Sequence, residues 1–233
     1  MNTLLNIIVN PVKAFNQLKT EVKFPVIAFI IVLALILIHL ILLAPISAKL
    51  SEIVLSSMSI PEKQKDIAIG VTYKLRYLSI IGGFIMYAIV LFLQALILYV
   101  IALLFKAQLG YMKALRLIIY CFIALVIGDL VNITLIYLKG IDSLENVYSV
   151  MLTGANLLTS VENVGAALYL FLSYINPFQI WFVVLLTIGV KIFTDLSWSK
   201  SIAICIIFWV IVTLFPVMST WFSQTIMAQK GII

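Results

Sequence analysis

Two ionisable side chains lie within otherwise apolar sequence and have the chemistry to move a proton. His39 is the single histidine of the chain, and Asp129 lies in "VIGDLVNI", with Asn132 three residues further on. A charged side chain at the centre of a bilayer costs about 2.5–3.5 kcal/mol on insertion scales, so residues of this kind are functional candidates. A contact between His39 and Asp129 would lower that cost and could relay protons.

A structural interpretation of this candidate polar cluster is also open. The histidine can donate to a backbone carbonyl, and a protonated aspartate can bond to the nearby asparagine. A second group, Gln94, Lys191 and Asp195, is predicted to lie toward the inner half of the membrane. Hydrogen bonding between helices is the expected role of Gln94. Lys191 is expected to anchor its helix by extending its ammonium group to the interface.

No catalytic or metal-binding motif is present in the sequence. It contains no HExxH, no GxSxG and no nucleotide-binding glycine loop. With one histidine, a metal site would have to rely on carboxylates. The two cysteines, Cys121 and Cys205, lie separately in apolar runs, as small buried hydrophobic residues do. We therefore expect no enzyme activity, no metal and no cofactor.

The elements that position these residues must suit a membrane. The chain of 233 residues is 64% hydrophobic and 10% charged, with a mean hydropathy of +1.23. Soluble domains keep about a quarter of their residues charged, and several apolar runs here exceed the roughly 18 residues typical of a membrane span. The composition predicts an all-α integral membrane protein. Its net charge of +6 suits contact with anionic lipid, and no basic patch predicts nucleic-acid binding.

The apolar runs predict five transmembrane helices within a single membrane domain, 1–233. We expect these spans at about 25–43, 77–105, 117–138, 178–194 and 202–222. The preceding segment, 1–23, has apolar residues at helical spacing interrupted by Asn10-Pro11. This pattern predicts an amphipathic helix in the membrane interface, with docking of a partner as the alternative.

Two long segments, 46–76 and 139–176, are predicted to be outer loops with helical content. In the first, "SIPEK" at Ser59 is typical of a helix start that can lead into the second span. In the second, the apolar tail 164–175 is too short to cross a bilayer and is either interfacial or re-entrant. Both loops are longer than simple connections need to be, which favours a binding role.

The charge distribution predicts the orientation of the spans. The short loop 106–116 carries three basic residues and no acidic residue, and short basic loops remain cytoplasmic under the positive-inside rule. We therefore expect a cell-membrane protein with its N-terminus in the cytoplasm and its C-terminus outside.

Four short segments resemble the Yip family in their order and spacing. They are "NPVKAF" at 10–15, "LGYMKAL" at 109–115, "NPFQIWFVVLLTIG" at 176–189 and "SKSIAI" at 199–204. Members of this family are five-span membrane proteins named for Ypt-interacting proteins and are widespread in bacteria. The resemblance covers about residues 8–220. Its signature residues here are Gly110, Lys113, Asn176, Pro177, Phe178, Trp181 and Gly189. The chain departs from the pattern at 123–125, where a proline is expected.

The resemblance implies five helices, a cytoplasmic N-terminus and no catalytic centre. Eukaryotic members bind Rab-type GTPases with the help of a longer cytoplasmic N-terminal region, and we do not expect that trafficking role here. Some bacterial members resemble accessory partners of ABC-type exporters. The sequence therefore predicts a non-enzymatic protein that contacts the lipid bilayer and another membrane protein, with a homo-oligomer also open. The alternative is a small transporter or channel built around the candidate polar cluster.

Overall fold

The computed structural model describes residues 2–20, 24–57, 61–144 and 150–229, which are mainly α-helical. The helices in chain order are α1 (Asn2–Val9), α2 (Pro11–Thr20), α3 (Val26–Ser57), α4 (Glu62–Leu104), α5 (Tyr111–Lys139), α6 (Val161–Val164), α7 (Ala166–Ser173), α8 (Pro177–Thr194) and α9 (Trp198–Gln229). Short 3₁₀ turns occupy Ile141–Ser143 and Ala155–Leu158. Within the described residues, α3, α4, α5, α8 and α9 are long and apolar enough to span a membrane. The predicted all-α fold class with five spans is confirmed.

Helix α5 is the centre of the bundle. Buried residues make up 72% of its most apolar window, against 28% to 39% for the other four candidate spans. It packs against α3, α4 and α8, and every side chain from Ala114 to Ala124 is buried. A helix that is apolar on all sides suits this central position. The helix is less completely buried after Gly128, where Asp129 and Asn132 are half-buried and Thr134 is exposed.

Helices α3 and α4 are longer than a bilayer requires. They contain 32 and 43 residues, which corresponds to about 48 Å and about 65 Å, whereas the hydrocarbon core is about 30 Å thick. Helix α3 does not end at Ala44-Pro45, where the predicted span ends, but continues to Ser57. Beyond Pro45, Ser47 and Ser51 each donate a hydrogen bond to a carbonyl of the preceding turn.

Segment 46–76 therefore forms most of a helical hairpin, which we call the outer hairpin. Its second arm begins at Glu62, directly after Pro61, and continues without interruption into the span, whereas Ser59 lies outside the described residues. A small buried cluster of Ile46, Ile133, Ile136 and Leu144 joins its first arm to the end of α5 and the first 3₁₀ turn. The base of the hairpin is thus packed on the bundle.

The N-terminal segment forms two helices, α1 and α2, divided at Asn10. The Asn10 side chain accepts a hydrogen bond from the Lys13 amide at 3.1 Å, and Pro11 occupies the first position of α2, as is typical of a helix start. The amphipathic face of α2, formed by Ala14, Phe15 and Leu18, is fully buried. It contacts α8, so the bundle itself covers this face.

Candidate functional site

A cavity of about 460 Å³ lies between α4, α5, α8 and α9. Segment 150–154 and the end of α7 complete its wall. Cavities of roughly 300–1,000 Å³ lined by apolar and aromatic groups, with a few polar side chains, are typical of small-molecule sites. This cavity is our candidate functional site, and we call it the Asp129 cavity.

Asp129 provides the carboxylate of this cavity. It lies on α5 one residue after Gly128, and its side chain is half-buried against the cavity. The described residues provide no hydrogen bond or ion pair to its carboxylate. The hydroxyl groups of Tyr87 and Tyr174 lie within electrostatic range of it. The site therefore presents a carboxylate whose partner is not supplied by the described part of the chain.

The predicted contact between His39 and Asp129 is not found among the described residues. The His39 ring packs edge-on against Tyr87, with ring centroids 6.0 Å apart, and its Nδ1 is buried without a hydrogen-bond partner. Tyr87 from α4 contacts His39 and lines the Asp129 cavity together with Asp129. The two residues do not form a proton-relay pair in this structure.

Asn132 uses both ends of its amide to hold segment 150–152. Its Nδ2 donates to the Val150 carbonyl at 2.6 Å, and its Oδ1 accepts from the Leu152 amide at 2.9 Å. The amide of Asn132 thus bonds to backbone, and the alternative bond to a protonated Asp129 is not found among the described residues. Asn132 still lines the Asp129 cavity, where it positions part of the wall.

Replacing Asn132 with leucine should detach segment 150–152 from α5. Two backbone groups lose their partners, and an unsatisfied buried polar group costs about 1–3 kcal/mol. The measurement is the rate at which a maleimide labels a Thr153→Cys reporter, with both native cysteines buried and slow to react. The labelling rate should increase by about tenfold or more. A tenfold increase corresponds to a decrease of about 1.4 kcal/mol in the free energy of local opening.

The control for this change is Thr134→Val on the same helix. Thr134 is exposed and its hydroxyl donates only to the Leu130 carbonyl of its own helix, at 2.8 Å. The reporter should therefore react as in the parent protein. Equal labelling in the Asn132→Leu and Thr134→Val variants would contradict the role assigned to Asn132.

Two further polar atoms of the cavity wall have no hydrogen-bond partner among the described residues. They are Oε1 of Gln94 and Nε1 of Trp209. Gln94 is only 8% exposed, so bulk water does not readily supply the missing donor. From the sequence, Gln94 was assigned to the inner-half polar group and Asp129 to the candidate polar cluster. Trp209 and Tyr87 were not identified from the sequence. The seven-residue interval between Tyr87 and Gln94, which places both on one helix face, is the signal that could have linked them.

Lys191 and Asp195 lie at the other end of the bundle. Asp195 ends α8 in the left-handed conformation and accepts two hydrogen bonds from Lys19 Nζ, at 2.7 and 3.0 Å. This ion pair lowers the pKa of Asp195, and Lys191 and Lys113 act in the same direction. The sequence placed Lys191 and Asp195 on neighbouring turns but gave no indication of the ion pair with Lys19.

The pair Asn176-Pro177 begins helix α8. Asn176 caps the helix, because its Oδ1 accepts from the amides of Phe178 and Gln179 at 3.0 and 2.9 Å. Pro177 occupies the first helical position, where its missing N–H leaves no group unsatisfied. Phe178 lies against Gly128 of α5. These residues fix the entry of α8 into the bundle beside the cavity.

The remaining signature residues also have packing or terminal positions. A Cβ at Gly189 would lie 2.5 Å from Leu117 Cδ2, so this glycine permits the close approach of α8 and α5. Gly110 is the N-cap residue of α5, and Lys113 follows as an exposed side chain in its first turn. Trp181 packs at the edge of the main core. None of these four residues lines the Asp129 cavity.

Comparison with known proteins gives one family match. The family model described as the Yip1 domain matches residues 5–220, which is most of the chain and includes every residue that lines the Asp129 cavity. No curated protein and no solved structure matches.

Proposed function

Because the chain belongs to the Yip1 domain family, we propose that it is a non-enzymatic membrane protein that associates with another membrane protein. An ABC-type exporter is the partner class implied by the resemblance to bacterial members of the family. The proposal places the contact on the outer hairpin. Segment 139–176, the other predicted outer loop, is less suited because Asn132 and α9 hold much of it against the bundle.

An apolar stripe on the outer hairpin carries this proposal. Ile67, Val71 and Leu75 follow one another at four-residue intervals along α4 and are 60%, 47% and 52% exposed. The same stretch contains the charged residues Glu62, Lys63, Lys65, Asp66, Lys74 and Arg76. Such a density of charge is incompatible with the hydrocarbon core, so this outer stripe faces the aqueous or interfacial region. An apolar stripe with this spacing suits the docking of a partner helix.

The proposed orientation has the N-terminus in the cytoplasm. The Lys19–Asp195 ion pair and the bond from Arg116 to Leu18 bring α2, the start of α5 and the end of α8 to one end of the bundle. The basic residues of this end are Lys13, Lys19, Lys106, Lys113, Arg116, Lys191 and Lys200. Three of them, Lys106, Lys113 and Arg116, belong to the short loop 106–116, which has no acidic residue. Short basic loops of this kind favour the cytoplasmic side of the membrane. The outer hairpin and segment 139–176 then lie outside, and α7, which packs against α9 and borders the cavity, is proposed to be re-entrant.

The experiment is a crosslinking pull-down from native membranes with a variant of the outer stripe. Replacing Ile67, Val71 and Leu75 together with serine should remove a membrane-protein partner that the parent chain recovers. The matched control replaces Leu157 and Leu158 with serine, since both are exposed apolar residues outside the hairpin, at 56% and 90%. The control should retain the partner, and both variants must insert at normal levels.

Two results would contradict this proposal. Recovery of the same partner by the outer-stripe variant contradicts the placement of the contact on the outer hairpin, and recovery of nothing but copies of this chain contradicts the association itself. The second result would favour the alternative function, a small transporter or channel. The observation in favour of that alternative is the carboxylate of Asp129 in a cavity between candidate spans.

A further inference from the structure

An ionised Asp129 needs a partner of opposite sign in its cavity. A carboxylate taken out of water is strongly destabilised unless it is paired or protonated. Among the described residues that line the cavity, none is Lys, Arg or His. The described lining supplies no counter-charge, so Asp129 is either protonated or paired with a bound cation.

The remaining wall is suited to an organic cation more than to a metal ion. The described residues contain no group of three or more His, Cys, Asp or Glu side chains that could hold a metal. Aromatic rings are instead abundant around the carboxylate, among them Tyr87, Phe122, Tyr174 and Trp209. Aromatic faces attract ammonium groups, most strongly where water is excluded.

The two unpartnered polar atoms define the ligand further. Gln94 Oε1 is an acceptor without a donor, and an N–H or O–H of a ligand could supply one. A primary ammonium has such a donor, whereas a quaternary ammonium does not. Trp209 Nε1 is a donor, so it calls for an acceptor on the same ligand. A primary ammonium with an adjacent hydroxyl or phosphate oxygen and an apolar body satisfies both requirements.

From this arrangement we propose that the Asp129 cavity binds a primary ammonium compound that also carries an oxygen acceptor. The ammonium pairs with Asp129 and donates to Gln94, while Trp209 donates to the oxygen. An amino alcohol and the headgroup of phosphatidylethanolamine share this chemistry. The proposal goes beyond the association with a membrane protein and does not depend on it.

The test is calorimetric titration of the full chain in nanodiscs of phosphatidylglycerol, whose headgroup contains no ammonium. The probe is 2-amino-3-phenylpropan-1-ol, and its neutral analogue is 3-phenylpropane-1,2-diol. The amino alcohol should bind saturably and the diol at least about tenfold more weakly, since a hydrogen bond to a charged group contributes more than a neutral one. This comparison needs no variant. Binding of the diol as tight as that of the amino alcohol, or no saturable binding of the amino alcohol, would overturn the proposal.

Two variants locate the binding within the cavity. Asp129→Asn preserves the shape of the side chain and should weaken amino alcohol binding by about tenfold or more. Asp142→Asn is the matched control, because Asp142 is exposed and lies outside the cavity lining; it should bind as the parent chain does. Parent-like affinity in a folded Asp129→Asn variant would refute the assignment of Asp129.

A second set of nanodiscs distinguishes the two sources of the ammonium group. Phosphatidylethanolamine is added to the phosphatidylglycerol, and the titration with the amino alcohol is repeated. A reduced apparent affinity supports the lipid headgroup as the occupant, because it competes for the site. An unchanged affinity supports a free amino alcohol.

Discussion

Gly128→Leu should lower the free energy of unfolding by about 1–3 kcal/mol or more, the range for overpacking a well-packed core. A Cβ at this position would lie 2.7 Å from Cβ of Phe178 and 2.6 Å from its Cγ. Because the contact includes the root of the Phe178 side chain, rotation of the ring does not relieve it. Helix α8 must move away from α5, and the Asn176 cap would move with it.

The measurement is thermal unfolding of the purified protein, followed by tryptophan fluorescence. For a chain of this size, 1 kcal/mol corresponds to about 2–4 °C in Tm, so a decrease of several degrees is expected. Gly82→Leu is the matched control, because Gly82 is exposed and a Cβ there would have nothing within 4 Å. Similar Tm changes in the two variants would show that the effect comes from glycine itself and not from contact with Phe178.

The helical glycines show how far packing could be predicted from the sequence. Gly82, Gly83, Gly128 and Gly189 all lie in apolar helices, and nothing in the sequence distinguishes a glycine in close contact with another helix from one at an open position. In the structure Gly128 and Gly189 meet neighbouring side chains, whereas Gly82 faces open space. The difference depends on which helices become neighbours, and this is a property of the whole bundle.

The fold class could be predicted because it depends on local composition. A bilayer requires every backbone polar group to be satisfied within the chain, so five long apolar runs predict five helices with little reference to tertiary contacts. The ends of the helices were harder to predict. The end of an apolar run does not mark the end of a helix: α3 and α4 both extend beyond their apolar runs, and the charged first turns of α4 carry the outer stripe.

The candidate site was predicted only in part. The cost of burying a charge identified Asp129 from sequence, and the structure places it in a cavity. Its neighbours could not be identified in this way, since Trp209 and Tyr174 reach the cavity from distant parts of the chain. His39, the candidate partner named from the sequence, contacts Tyr87. A position along an apolar run predicts the depth of a residue in the membrane but not its rotation about the helix axis.

Arg116 was treated in the sequence analysis only as one of the basic residues of a loop. It is a buried cation, 2% exposed, and its Nη1 donates to the Leu18 carbonyl at 2.8 Å. That carbonyl belongs to the last turn of α2, where the helix dipole favours a positive charge. Hydrogen bonds from charged donors are stronger than neutral ones. Arg116 therefore holds α2 on the bundle from inside, while the Lys19–Asp195 pair holds it at the surface.

Arg116→Gln should loosen α2 from the bundle, because the glutamine is shorter, uncharged and unable to reproduce the bond from α5 to the Leu18 carbonyl. The expected loss is about 1–3 kcal/mol, and local opening of that size accelerates labelling of a buried cysteine by about tenfold or more. The reporter is Ala14→Cys, at a fully buried position on α2. Lys113→Gln removes an exposed cation one turn earlier on the same helix and should leave the labelling rate near that of the parent. Equal rates in both variants would mean that the apolar face of α2, and not Arg116, is sufficient to hold the N-terminal helices in place.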